Sequence, residues 1–240
     1  MLAPSRRSGL PYKVLAGVEP HTGGWLIAPG NLQGINLGPQ TAFLVPTLVD
    51  VLDYRPSFTV VALHAPIGLH DEPSGPRPCD RNSRQLLGPR GKTVLSAPSR
   101  ALLEARSFDE ARKVEPGIDI VRWRALPKAA ESARAVQSWN QRTVWEVNPE
   151  LALRQMNGGE PVPFPRGSQL GRAERARLVV AALPGAARVL QDRPPGVREG
   201  KLIDALADLW IARRIAARAI TRTSDEPIWD SEGLRMDIVS

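Results

Sequence analysis

FTVVAL, residues 58–63, is an unbroken apolar run rich in β-branched side chains. That is the pattern of a strand covered on both faces, and it sets the frame for the rest of the chain. Upstream, KVLAGV (13–18) reads as a second buried strand. Gly23-Gly24 leads from it into Trp25-Leu26-Ile27-Ala28, which predicts a hairpin. TAFLV (41–45) is a further strand. PTLVDVLDY (46–54) has apolar residues at helical spacing, with Pro46 at a first-helical position. Downstream, 71–100 is rich in Pro, Gly, Arg and Ser and reads as a long surface excursion with one short helix near Asp80–Leu87. A helix is expected over 125–139, a strand over 143–147, and a helix from Pro149 to about Met156 closed by Gly158-Gly159. Two long helices follow, 168–183 and 199–220. In the second, Leu202, Ile203, Leu206, Trp210 and Ile211 form a wide apolar stripe. Strands first, helices later and one returning strand predict a mixed α/β fold with a helical C-terminal half.

The chain has 240 residues, 42% of them hydrophobic, which suffices for a substantial core. No apolar stretch reaches the length of a membrane span. MLAPSRRSGLPYK has no apolar segment or cleavage site of a secretory leader, so 1–12 is expected to be a flexible arm before a single domain at 13–240. Cys79 is the one cysteine, which excludes an internal disulfide and a thiolate zinc cage and fits a reducing cytoplasm. His21, His64 and His70 lack zincin spacing. The formal charge of +7 permits a polyanionic partner such as nucleic acid. From Glu160 to Arg222 there are 12 Lys+Arg against 6 Asp+Glu, a net of +6, whereas Thr223–Ser240 holds one Arg against five acids, a net of −4. Arg172, Arg175 and Lys201 are the candidate phosphate contacts in the basic part; solvated helix faces would give the same composition.

Four places put a polar group at the end of a buried element. Glu19 follows the first strand and His64 the FTVVAL strand. Glu146, Asn148 and Glu150 follow the returning strand, and Asp204 and Asp208 share one face of the last helix at i, i+4. Ligand sites of open α/β sheets gather at the carboxyl ends of strands. Carboxylates converging there would need a cation, most naturally Mg²⁺ or Mn²⁺. Each residue has a plainer reading: Glu19 as a turn residue, His64 as a core histidine, Glu146 as a water-facing strand residue. Asp204 could pair with Lys201 and Asp208 with Arg213 at helical spacing.

In order along the chain, VLAGVEPHTGGW (14–25), ALHAPIGL (62–69), RPCDRNSRQLLGPRGKTVLSAP (77–98), VWEVNPELALRQMNGGEP (144–161), GRAERARLV (171–179), LIDALADLWIARR (202–214) and GLRMDIV (233–239) resemble the domain-of-unknown-function family 429, described as predicted RNase H-like nucleases. The resemblance implies an RNase H-like mixed sheet flanked by helices. It also implies a metal-dependent nuclease or phosphodiesterase with Glu19, His64, Glu146 and Asp204 as catalytic residues, and Glu19, Glu146 and Asp204 as metal ligands. The departures cluster on that site. Glu19 stands where the family has Asp, His64 where it has another Asp, Asn148 where it has His, and Gly200-Lys201 where acids open the last helix. Cys79-Asp80-Arg81 is kept and is expected to brace the insertion.

Two-ion hydrolysis uses divalent ions roughly 3.5–4 Å apart held by several carboxylates. A histidine nitrogen suits Zn, Mn or Fe better than Mg. The alternative is a catalytically inactive relative that binds nucleic acid or protein on the same scaffold. A third class, phosphotransfer to a small molecule, rests on Gly23-Gly24 alone, which a tight hairpin explains equally well.

Overall fold

The computed structural model describes residues 12–224 and 226–240, so the arm expected over 1–12 lies, apart from Tyr12, outside the described residues. Six strands form one mixed sheet: β1 (Lys13–His21), β2 (Gly24–Gln33), β3 (Asn36–Pro39), β4 (Phe43–Val45), β5 (Val60–Leu63) and β6 (Val144–Glu146). Their order is β3-β2-β1-β5-β6, with β4 also paired to β2. The expected hairpin is β1–β2, antiparallel and turning at Thr22-Gly23. The FTVVAL strand, β5, lies between β1 and β6 and runs parallel to both. All four of its residues are buried, as a strand covered on both faces requires. β3 was not expected: Asn-Leu-Gly-Pro has no β-branched residue, and it pairs because the chain folds straight back on β2 from Gln33 to Asn36.

Side-chain alternation sends the two faces of the sheet to different cores. Ala16, Val18, Ile27, Val61, Leu63 and Val144 pack against α1 (Leu48–Leu52) and the end of α5 (Ile120–Ala135). The Glu131 carboxylate secures this layer, accepting from the Trp25 indole at 2.8 Å, the Leu48 N–H at 2.7 Å and the Lys128 ammonium at 2.7 Å. Leu15, Leu26, Ala28, Val60 and Ala62 face α9 (Glu199–Ala216), which is covered on its far side by α6 (Pro149–Met156), α7 (Gln169–Ala182) and α8 (Ala186–Gln191). From Leu202 to Ala212 every residue of α9 is buried, so the helix is interior all round rather than amphipathic.

Local chemistry shifts several boundaries. Thr47, not Pro46, opens α1: its hydroxyl accepts from the Asp50 N–H while the Asp50 carboxylate accepts from the Thr47 N–H, a capping box. α5 begins five residues before the expected start because Asp119 caps it by accepting from the Arg122 N–H, and it continues through Pro127. α9 stops at Ala216, where Arg218 takes a left-handed conformation (φ 56°). Within 71–100 the first five residues are exposed, as read from their composition, and α2 (Pro78–Leu87) buries Cys79, Asp80, Ser83 and Leu87. The shorter helices α3 (Arg100–Leu103) and α4 (Phe108–Val114) precede α5. The acidic end of the chain returns to the sheet: the Val239 N–H donates to the Glu146 carbonyl at 3.0 Å, and Val147 bridges Val239 in parallel.

Gly17 sets the distance between β1 and α9. A Cβ there would lie 2.0 Å from the Ala205 carbonyl oxygen and 2.3 Å from the Leu209 nitrogen, both backbone atoms that cannot swing aside. Gly17→Ala is expected to lift α9 off the sheet and cost about 3 kcal/mol, the upper range of overpacking, read as a lowered urea midpoint with an unchanged slope.

Candidate metal centre

Parity and helix register decide which polar groups meet. Glu19 and His64 project from the carboxyl ends of β1 and β5 on the α9 face. The His64 N–H donates to the Val18 carbonyl at 2.9 Å, which extends the ladder by one residue and sets the imidazole beside Glu19. His64 Nδ1 lies 2.6 Å from Glu19 Oε1. On α9, Lys201, Asp204 and Asp208 follow one another at i, i+3 and i+7 along the face turned to these strand ends. Lys201 Nζ donates to Glu19 Oε2 at 2.6 Å. Asp208 brings its carboxylate to the same point: Glu19, His64 and Asp208 each offer a ligand atom, all within 4.8 Å of one another.

Asp208 is the unpaired member. It is fully buried, and no donor among the described residues reaches either carboxylate oxygen. Asp204, one turn earlier, is held by the Arg166 guanidinium. Burial and the facing Glu19 charge hold the Asp208 carboxyl well above the usual aspartate range. Burial also works to raise Glu19, but His64 and Lys201, with the His64 hydrogen bond and Arg166, outweigh it and hold Glu19 well below the usual glutamate range. Two facing carboxyls can share a hydrogen bond only when one is protonated. The opposed shifts make Asp208 the member of the pair that favours that proton. A divalent cation could replace that proton, and the Oε, imidazole and Oδ donors suit an ion that accepts nitrogen alongside carboxylate. Access is from the side of His64 and Lys201, whose side chains keep 28% and 21% of their surface exposed.

Glu146 does not join this group. It pairs in register with Leu63, which faces the other core, so alternation turns its carboxylate away from Glu19. There the Arg77 guanidinium spans it, with Nη2 donating to Oε1 at 2.5 Å and Nη1 to Oε2 at 2.9 Å, while the Ile67 N–H donates to Oε2 at 2.6 Å. Arg77 also donates from Nη2 to Asp80 Oδ1 at 2.7 Å, so one guanidinium serves two buried acids. Burial accordingly pushes Glu146 up to about 7 against the pull of Arg77. Asp80 of the Cys-Asp-Arg motif thus braces the insertion. Burial pushes the Cys79 thiol far up, leaving it a packing residue rather than a nucleophile.

The basic candidates are redistributed. Arg175 is buried and spans Glu150 with Nη2 at 2.8 and 2.9 Å from the two oxygens, so its guanidinium is a strut and not a phosphate contact. Arg172 stays at the surface with Nη1 on the Gly167 carbonyl, and Lys201 belongs to the centre itself. Asn148 caps α6, its side-chain oxygen accepting from the Glu150 N–H at 3.0 Å. Neither helical pairing considered from spacing occurs: Lys201 goes to Glu19, and Asp204 goes to Arg166 rather than to Lys201. Arg166, thirty-eight residues from Asp204, carried no local signal of its role.

A family model described as "Protein of unknown function (DUF429)" matches residues 17–227, which include every residue of this centre. The chain belongs to that family. No curated protein matches the chain, and no solved structure does. Among the described residues no helix is long and apolar enough to cross a membrane.

The raised proton affinity of Asp208 has a measurable cost. Its folded-state affinity for the proton exceeds that of the unfolded chain, whose ordinary value is 3.8, so the wild type loses stability as pH rises from 3.8 toward the folded value. Asp208→Asn removes that loss. The variant is expected to melt roughly 2–6 °C above the wild type at pH 7.5 in metal-free buffer and to converge on it near pH 3. A lower melting temperature at pH 7.5 would contradict the unpaired state of Asp208.

Proposed function

We propose that this protein is an RNase H-like, metal-dependent phosphodiesterase that acts on nucleic acid through a single divalent ion held by Glu19, His64 and Asp208. The observation that carries the reading is Asp208, a buried carboxylate with no donor, aimed at Glu19 and His64 at the carboxyl ends of two parallel strands. An antiparallel hairpin leading into parallel β5 and β6 supports the RNase H-like assignment.

A divalent ion there would supply activation of water and offset charge on a phosphoryl oxygen. In the reaction water adds to phosphorus, the bond to one ester oxygen breaks, and a proton passes to that oxygen. The chain's own part is to bind and orient. Arg166, whose side chain is 39% exposed, and Lys201 put two cations at the mouth of the centre, where they would hold the phosphate through hydrogen bonds to its free oxygens. Leu26, paired with Glu19 across the hairpin and part of the core on the α9 side, backs the centre with apolar surface. A nitrogen donor in the set favours Mn²⁺ over Mg²⁺.

A second reading, a nucleic-acid-binding relative without turnover, is favoured by the resident cations: Lys201 already neutralises Glu19, and Arg166 neutralises Asp204.

Purified protein is expected to cleave at least one of single-stranded, duplex and RNA–DNA hybrid substrates with Mn²⁺, and Asp208→Asn to lower the rate by roughly 100-fold or more, the scale of a lost ligand. Intact substrates, no Mn²⁺ binding and salt-sensitive retention of the nucleic acid would select the second reading.

A further inference from the structure

Lys201 occupies an unusual place for a lysine. It is the third residue of α9, where the helix dipole presents its positive end and favours acids, yet its ammonium points into the centre. What holds it is Glu19, fully buried, with Oε2 at 2.6 Å from Nζ. The two oxygens of Glu19 are thereby divided, Oε1 to His64 and Oε2 to Lys201. A divalent ion entering between Glu19, His64 and Asp208 would share Glu19 with an ammonium only a few ångströms away.

Resting on the metal-dependent reading above, we propose that Lys201 is a built-in counter-cation that competes with the divalent ion for Glu19 and so sets the metal affinity of the centre. Three features of the chain lead there. Glu19 is the one carboxylate common to the ammonium and the ion-binding group. Asp204 is already taken by Arg166, and Asp208 belongs to the ion-binding group itself, so Lys201 has no buried acid to turn to that the ion does not also use. The side chain is also 21% exposed on a flexible stem, so it can withdraw to solvent without disturbing the core. The ion then binds against one positive charge that the fold itself supplies.

The test measures Mn²⁺ binding to the full chain by electron paramagnetic resonance, in the wild type, Lys201→Met and Lys201→Arg, with folding checked by circular dichroism. Lys201→Met keeps the apolar stem and removes the charge; it is expected to tighten Mn²⁺ binding by about tenfold or more. Lys201→Arg keeps the charge and is expected to bind as the wild type does. Equal or weaker binding in Lys201→Met overturns the competition while leaving the metal-dependent reading intact. Mn²⁺ bound by Lys201→Met but not by the wild type sustains the competition and overturns that reading for the native chain. No binding by any of the three overturns both.

Discussion

The missing side chain at Gly17 governs the architecture. Because the backbone of α9 rests directly on the backbone of β1, with Asp208 itself at the contact, the helix lies close enough for its side chains to meet the residue two steps further along the strand. Glu19 is that residue. Close packing here is a condition for the polar centre as well as for the core, since a helix held a side chain's width further out would leave Asp208 facing apolar surface. The interior character of α9 follows from the same contact: pressed against the sheet on one side, it must be roofed on the other by α6, α7 and α8.

Around that contact the buried charges are matched with unusual economy. Glu150 has Arg175, Glu146 and Asp80 share Arg77, Asp204 has Arg166, and Glu19 has Lys201. Burying an ion costs several kcal/mol unless a partner returns it. Against that background Asp208 stands out as a buried carboxyl with no cationic or hydrogen-bonding partner among the described residues. The pairs built on Arg77 and Arg175 are structural and lie apart from the strand-end centre. Arg166 and Lys201 border it and remain partly open to solvent.

Much of the fold was legible in local pattern. FTVVAL, the Gly-Gly hairpin and the apolar stripe of the last helix each carry their own periodicity, and all three elements form. The centre was legible only in part. Glu19 and His64 were visible because they end strands. Glu146 ends a strand too, but whether it faces the same way depends on the register of β6 on β5, which no short stretch encodes. Asp204 and Asp208 were visible as one helix face. Which of them stays unpaired was decided by Arg166 in a distant loop. Arg175 shows the complementary limit: composition counts a guanidinium as surface charge, and only the tertiary position of Glu150 makes it an interior one.

The return of the acidic C-terminal segment to β6 has a consequence for the edge of the sheet. β6 would otherwise be an outer strand of a largely apolar sheet with its hydrogen-bonding groups open, the geometry through which separate molecules join edge to edge. Val239, seated beside Val147 and bonded to the Glu146 carbonyl, occupies part of that edge, while the Arg222–Asp237 ion pair pins the segment in place. The segment around Val239 thus leaves less of the β6 edge open to another strand, and it does so at the same end of the sheet as His64, since Glu146 pairs with Leu63.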